Sequence, residues 1–294
     1  MNKIKLRKLI PHLVFLGPSV IIFTIIVVVP FIQTLYYSFT DWNGISDEVH
    51  FIGLKNFIRI FSSKSTFLGS LWFTIGLALV IFILTNALAL TLAVVLTSKL
   101  KGSNWFRAIF FLPNTIGGVV LGFIWRFIFV VGFAYIGKTF GLKLFQLQWL
   151  GTPLTAYTGL VIVSIWQNVG YVMVIMIAGL ISVPQDLIEA AIIDGANAWR
   201  TLINVRLPLC MPYITICLFW TISSALKMFD LNVALTKGGP YGSTTSMALN
   251  IYNDAFANNK FGLATAEALI FAVILLIITG IQLFFSKKKE LEYT

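Results

Sequence analysis

Glu189-Ala-Ala-Ile-Ile-Asp-Gly-Ala-Asn-Ala-Trp-Arg-Thr-Leu-Ile-Asn-Val-Arg-Leu-Pro208 is a polar island between two long apolar runs. Together with the upstream Asp186, it gathers Glu189, Asp194, Arg200 and Arg206 into 21 residues of a chain only 11% charged. Glu189 to Asp194 is built from good helix formers. Gly195 is placed to stop that helix, because glycine reaches φ > 0 without a Cβ clash. A second helical piece is expected from about Ala198 to Arg206. Pro208 then ends it or opens the next helix at its first turn. Two short helices hinged at a glycine, held outside the membrane between two spans, form a docking element; the plainer alternative is a solvated connecting loop.

The flanks decide the class. The chain has 294 residues, 58% of them hydrophobic, with 26 Phe and a mean hydropathy of +0.91. Such a composition excludes an ordinary soluble domain. A helix needs ~20 mostly apolar residues to cross the hydrocarbon core. Six segments qualify, at about 13–38, 70–97, 108–131, 156–181, 209–229 and 264–285, and leave a loop at about 182–208. All six are expected to be helices, because lipid satisfies no open backbone group. The fold class is therefore all-α and polytopic, with the whole of residues 1–294 as one transmembrane domain. The run after Lys8 is too long for a cleaved signal peptide and has no small-x-small site before Pro30. It reads as an uncleaved first span kinked at Pro30.

Orientation follows from Lys and Arg. Twelve of the 21 lie in the N-terminal tail (Lys3, Lys5, Arg7, Lys8), in loop 98–107 (Lys99, Lys101, Arg107), in loop 182–208 (Arg200, Arg206) and at the C-terminus (Lys287, Lys288, Lys289). The other nine are spread thinly over longer segments. Both termini and the Glu189 loop are thus expected in the cytoplasm. This asymmetry and anionic headgroups account for the net charge of +10, with no need for nucleic acid. Cys210 and Cys217, seven residues apart on one helical face, read as buried apolar thiols. There is neither a disulfide framework nor zinc spacing, and His12 and His50 flank the first span without forming a metal site.

Glu189-Ala190-Ala191, then Asp194-Gly195-Ala196, then Leu207-Pro208 resembles the "EAA" loop of permease subunits of binding-protein-dependent ABC importers. Asp194 before Gly195, and Thr236-Lys-Gly-Gly-Pro240 after the next span, resemble the sugar-importing branch, which includes maltose, glycerol-3-phosphate and multiple-sugar systems. Phe51-Ile-Gly-Leu-Lys-Asn-Phe57 and the segment 98–114 are similar to further stretches of that family. The first of these is usually a short interfacial helix in the family. The resemblance runs from about residue 10 to the C-terminus. It implies a type I importer permease, multi-pass in a bacterial cytoplasmic membrane, forming half of a pore. Its implied partners are a second homologous permease, two ATPase subunits and an extracytoplasmic sugar-binding protein. Glu189, Ala190, Ala191, Asp194, Gly195, Ala196, Arg200, Leu207 and Pro208 would sit in the ATPase cleft. Loop 131–155 is short and lacks the large periplasmic insertion of the maltose permease, so a binding protein would dock on short loops.

Polar residues within spans point to a pathway. Ser164, Gln167, Asn168 and Tyr171 recur at helical spacing on one face of span four, beside Trp166. Amides and hydroxyls suit sugar OH groups, and an aromatic face suits their C–H patches. In maltose permeases that this chain resembles, matching positions contact sugar, and Thr221 matches a contact in span five. Another matching position falls on Ala225, which has no polar group, so the substrate or its pose differs. Ser224 and Ser223 are further candidates. The competing reading for this whole set is polar glue between helices. Pro113 inside span three is expected to kink or break it, as packing or as a hinge. Lys227 and Asp230 are spaced to pair. Glu267, one turn into span six, is expected to face protein or a water-filled vestibule.

No Gly-x-x-x-x-Gly-Lys-Ser/Thr phosphate loop is present. The chain is therefore read as a non-catalytic transport subunit that binds no cofactor, with ATP and Mg on the partner ATPase. An ion-coupled carrier is disfavoured by a single intramembrane acid, and a membrane enzyme by the lack of a His/Asp/Ser cluster. Among importers, the alternative substrates are glycerol-phosphate, polyamine and amino acid. A polyamine channel would be acidic and a glycerol-phosphate channel basic, whereas the span-four stripe is neutral.

Overall fold

The computed structural model describes residues 15–62, 65–98 and 101–293. The helices are α1 (Phe15–Tyr37), α2 (Lys55–Ile60), α3 (Phe67–Thr97), α4 (Ser103–Phe111), α5 (Gly118–Phe140), α6 (Pro153–Ser182), α7 (Gln185–Ile193), α8 (Ala198–Leu209), α9 (Met211–Leu226), α10 (Asp230–Leu235), α11 (Met247–Tyr252) and α12 (Phe261–Tyr293). There is no strand among the described residues, only a bridge between Thr40 and Phe51. Helices α1, α3, α5, α6 and α12 are long and apolar enough to cross a membrane, and α8 with α9 form a further pair bent by 75°. The N-terminal residues Lys3, Lys5, Arg7, Lys8 and His12, together with Lys99, lie outside the described residues.

Third-span geometry departs from the expected 108–131. Helix α4 ends at Phe111, a 3-10 turn covers Leu112–Thr115, and Gly117 in extended conformation precedes α5. Pro113 lies at the start of the turn, where its missing N–H costs nothing, so the break falls where Pro predicts and the crossing helix runs on to Phe140. Pro30 and Pro208 behave differently. Each follows a π turn, Thr24–Val28 and Leu202–Arg206 respectively, and the helix continues through it. A widened turn absorbs the bond that proline cannot donate. Pro208 neither ends α8 nor opens α9: the helix runs on to Leu209, the bend falls at Cys210, and Pro212 occupies the first turn of α9.

The chain divides into two compact units. One holds residues up to Ser65 with Ile251–Phe271. In it α1 buries none of its most apolar window. The loop after α1 is pinned by Asn56, which is buried and donates to the Ser38 and Thr40 carbonyls at 3.0 and 2.8 Å. Tyr37 stacks on Trp42 at 4.2 Å, and Trp42 meets Phe261 edge-on at 4.9 Å. Gly262 is required here, since a Cβ would collide with the Thr40 carbonyl. Glu267 is fully buried, as a charge one turn into a span should be.

The other unit, Thr66–Asn250 with Ala272 onward, is built on α3 and α6, with α9 packed against both. Leu77, Ile81, Leu121, Leu160, Val163 and Leu226 form one core, and Ala89, Ala93, Val172, Met173, Met176 and Cys217 a second. Between apolar helices, association depends on close packing rather than on water exclusion, so small residues mark the contacts. Gly170 of α6 lies directly on the Phe110 carbonyl of α4, and a side chain at Gly122 of α5 would meet the Ala234 Cβ of α10 at 2.5 Å. Thr152 caps α6 with a Thr152–Thr155 box ahead of Pro153, a device that contributes about 1 kcal/mol. The Thr236–Pro240 turn is a turn, with Gly238 at φ 79°. It hangs on buried Asn232, which donates to Thr236 Oγ1 at 2.9 Å and to the Thr244 carbonyl at 2.8 Å.

Candidate functional site

Two features stand out, and the first is the polar loop. Helix α7 closes with both bonds of a Schellman turn: Ala196 N–H donates to the Ala191 carbonyl at 2.9 Å and Gly195 N–H to that of Ile192 at 3.0 Å. Gly195 has φ 81°, while no atom stands within 4 Å of where its Cβ would be. Glycine is thus needed for its backbone conformation and not for space. Asn197 then caps α8, accepting from Arg200 N–H at 2.9 Å. The loop is anchored by Ile188, which joins the core that also receives Leu202.

The outward face of this loop carries charge and apolar surface together. Glu189, Ala190, Asp194, Gly195 and Arg200 are exposed, while Ala191, Ala196, Leu207 and Pro208 are half-buried. Glu189 accepts from the Gln185 side chain at 3.2 Å and forms no ion pair with any described residue. Ile193 is 85% exposed and Trp199 67%, with Leu187 and Ile192 beside them in sequence also exposed. Large apolar side chains on a polar loop signal a docking surface. Their identity was visible in the sequence, but the side of each short helix they occupy depends on where Ile188 and Leu202 anchor it.

The second feature is a cavity of about 300 Å³ lined by Asn114, Ser164, Gln167, Asn168, Trp220, Ser224, Lys227 and Asp230. Four of the seven predicted pathway residues are therefore together, while Ser223, its Oγ buried, is not among the lining residues. Tyr171 is not among the lining residues; its ring packs on Trp220 at 4.4 Å. Thr221 is fully buried and donates to the Cys217 carbonyl at 2.7 Å. Both are one step behind the wall, where packing of α6 on α9 has placed them. Within the lining, Gln167 Nε2 donates at 3.2 Å to the Ile116 carbonyl, freed by the break after Pro113. Asn168 Nδ2 donates to the Ser164 carbonyl at 2.8 Å, and Ser224 Oγ to that of Thr221 at 3.1 Å. The buried Ser164 Oγ has no hydrogen-bond partner among the described residues. Part of the stripe is thus internal glue and part is unspent.

Asn114, Trp220, Lys227 and Asp230 line the cavity too, outside the set that spacing along the spans points to. The break in the third span brings Asn114 to the wall, a consequence that Pro113 alone does not reveal. Lys227 and Asp230 do not pair; among the described residues the Lys or Arg ion pair with a carboxylate is Lys260–Asp254, and His50 Nδ1 lies 3.5 Å from Asp41. Both charged side chains instead line the same cavity, and Gly118 lets α5 approach the Asp230 Cβ, 3.0 Å from where its own would stand. The wall offers donors, acceptors, one cation, one carboxylate and an indole. Among the described residues no three His, Cys, Asp or Glu side chains gather as a metal site would require.

Residues 89–290 match the family described as binding-protein-dependent transport system inner membrane component. The chain is 44% identical over 278 residues to a probable starch degradation products transport system permease protein of Thermoanaerobacterium thermosulfurigenes, covering 95% of this chain and 94% of that one. It is 36% identical over 261 residues to a multiple sugar-binding transport system permease protein of Streptococcus mutans, covering 89% and 90%. Its fold superposes with a TM-score of 0.83, at 20% identity and 97% coverage of both chains, on a chain of a bacterial alginate ABC transporter in complex with alginate pentasaccharide-bound periplasmic protein. With a polar loop hinged at Gly195, a polar cavity in a helical membrane unit and similarity over nearly its full length, this chain belongs to the family of binding-protein-dependent transport system inner membrane components.

Proposed function

We propose that this chain is the permease subunit through which a bacterial ABC importer takes up a sugar or oligosaccharide delivered by an extracytoplasmic binding protein. The observation that carries the substrate class is the cavity wall. Carboxamides from Asn114, Gln167 and Asn168, hydroxyls from Ser164 and Ser224, and the Trp220 indole suit a polyhydroxylated ring with apolar faces. Both curated relatives described above are named for transport of starch products or multiple sugars.

The permease would form half of a pore with a second, homologous permease, and two ATPase subunits would hold the α7–α8 loop. Closure of the ATPase dimer on ATP would push on that loop, and α8, bent at Cys210 into α9, would carry the push to the cavity wall. Glu189 and Arg200 would meet charges of the ATPase, with Ile193 and Trp199 as apolar anchors. Both termini and this loop would lie in the cytoplasm.

Lys227 favours one second reading, a glycerol-phosphate, since it places a cation on the wall that the span-four stripe lacks. Asp230 beside it opposes an anionic ligand. Uptake by the complete importer in proteoliposomes decides between them. Inhibition of labelled malto-oligosaccharide uptake by other neutral oligosaccharides, and not by glycerol-3-phosphate, is expected. The reverse pattern would replace the sugar assignment.

A further inference from the structure

A second groove, of about 180 Å³, runs between the start of α9 and the end of α12. Its floor is apolar: Met211, Ile214 and Leu218 recur at helical spacing along α9 and face Phe285 of α12. Lys289 closes one end. It is the last of the run Lys287-Lys288-Lys289, and all three are exposed at the end of an apolar span.

Thr215 sits in this lining at 7% exposure. Thr74, Thr91, Thr158, Thr221 and Thr279 each donate to the carbonyl one turn back, the usual way a span satisfies a hydroxyl. Thr215 Oγ1 makes no hydrogen bond to any described residue, although its own helix offers the same carbonyl. Leaving a hydroxyl unpaired in an apolar setting costs free energy unless a ligand satisfies it. The groove also begins at the N-terminus of α9, which has no side-chain cap. That end of a helix carries partial positive charge. An apolar trough, an unspent hydroxyl, an uncapped helix start and a lysine thus converge on one short stretch.

We propose that this groove holds one anionic phospholipid, its acyl chain along Met211, Ile214, Leu218 and Phe285. The phosphodiester would lie at Lys289 and the start of α9, and Thr215 Oγ would donate to a glycerol-ester oxygen. Basic pockets between spans are a known form of anionic headgroup recognition. A zwitterionic lipid offers the same chain but no net charge, so the site is selective. Because α9 follows directly from α8, the lipid props the bend at Cys210.

The test uses the complete importer, with its partner permease and ATPases, in nanodiscs of phosphatidylcholine and phosphatidylglycerol in equal parts. Phospholipids retained after mild detergent transfer are counted by native mass spectrometry. One tightly retained phosphatidylglycerol per copy of this chain is expected. Lys289→Gln should weaken its retention ~5-fold, the worth of one lysine near a headgroup, and Leu218→Trp should abolish it by filling the trough. Lys101→Gln, an exposed basic residue outside the lining, should leave retention unchanged. Equal losses from Lys289→Gln and Lys101→Gln would mean that bulk charge holds the lipid, and the proposal fails. It also fails if phosphatidylcholine is retained equally well. A Ser286→Cys side chain that cross-links to another subunit would show the groove covered by protein, again overturning the assignment. If Leu218→Trp fails to assemble, the Lys289 and Lys101 comparison still decides.

Discussion

At the scale of single residues, the cavity wall separates side chains that are spent from side chains that are free. Gln167 is spent on the Ile116 carbonyl, so Gln167→Leu should act through the third-span break and lower the yield of assembled complex. Trp220 and Asn168 face the cavity, and Asn168 keeps its acceptor oxygen unspent. Trp220→Ala or Asn168→Leu should raise the KM for sugar by about tenfold, equivalent to ~1.4 kcal/mol of lost contact. Complex yield should stay near wild type for Asn168→Leu. Uptake per assembled complex in proteoliposomes is the measurement, and unchanged uptake would return these residues to the role of helix glue. Tyr171→Ala should act indirectly, by loosening Trp220, and its effect should be smaller than that of Trp220→Ala. Of the stripe read from spacing, Ser164, Gln167 and Asn168 reach the wall. Tyr171 does not, because spacing assigns a face but not how far a neighbouring helix covers it.

The elements that matter most are the two short helices of the loop and the broken third span. Gly195 holds a left-handed conformation that costs a non-glycine residue about 1–2 kcal/mol, and more when it is β-branched. Gly195→Val should therefore tilt α7 relative to α8. ATPase co-purification or coupling of hydrolysis to uptake should fall while the spans still insert. Wild-type transport with normal ATPase recovery would disprove the docking role. Ile193→Asp and Trp199→Asp should lower ATPase recovery without altering the folded permease, because both side chains are largely exposed. In the third span, Gly122→Leu would force α10 off α5, since even a Cβ meets Ala234 at 2.5 Å. Overpacking of this kind costs about 1–3 kcal/mol. It should displace Asp230 from the cavity and lower both transport and thermal stability of the complex.

For the whole molecule, orientation is the consequence most open to test. Cysteines placed singly at 101, 195 and 288 on a background lacking Cys210 and Cys217 should react only with reagent given from the cytoplasmic side. Cysteines at 55 and 245 should react only from outside. External labelling at 195 would overturn the coupling assignment, because no ATPase could then reach it. The class, the number of crossings to within the bent pair, the loop hinged at Gly195 and the membership in a permease family were legible in the sequence. The first three rest on local physics, since hydrocarbon thickness sets helix length, Gly alone takes a left-handed turn cheaply and Pro removes a donor; the family rests on the resemblance of the Glu189–Pro208 motif. The structure decided what local rules do not reach. It placed the bend at Cys210, two residues past Pro208, because the π turn Leu202–Arg206 lets the helix continue through the proline. It carried Asn114, Lys227 and Asp230 to the cavity and left Tyr171 and Thr221 behind its wall. These outcomes depend on which small residues let helices touch, Gly118 and Gly122 against α10 and Gly170 against α4. Such contacts join positions tens of residues apart, and no periodicity along the chain encodes them.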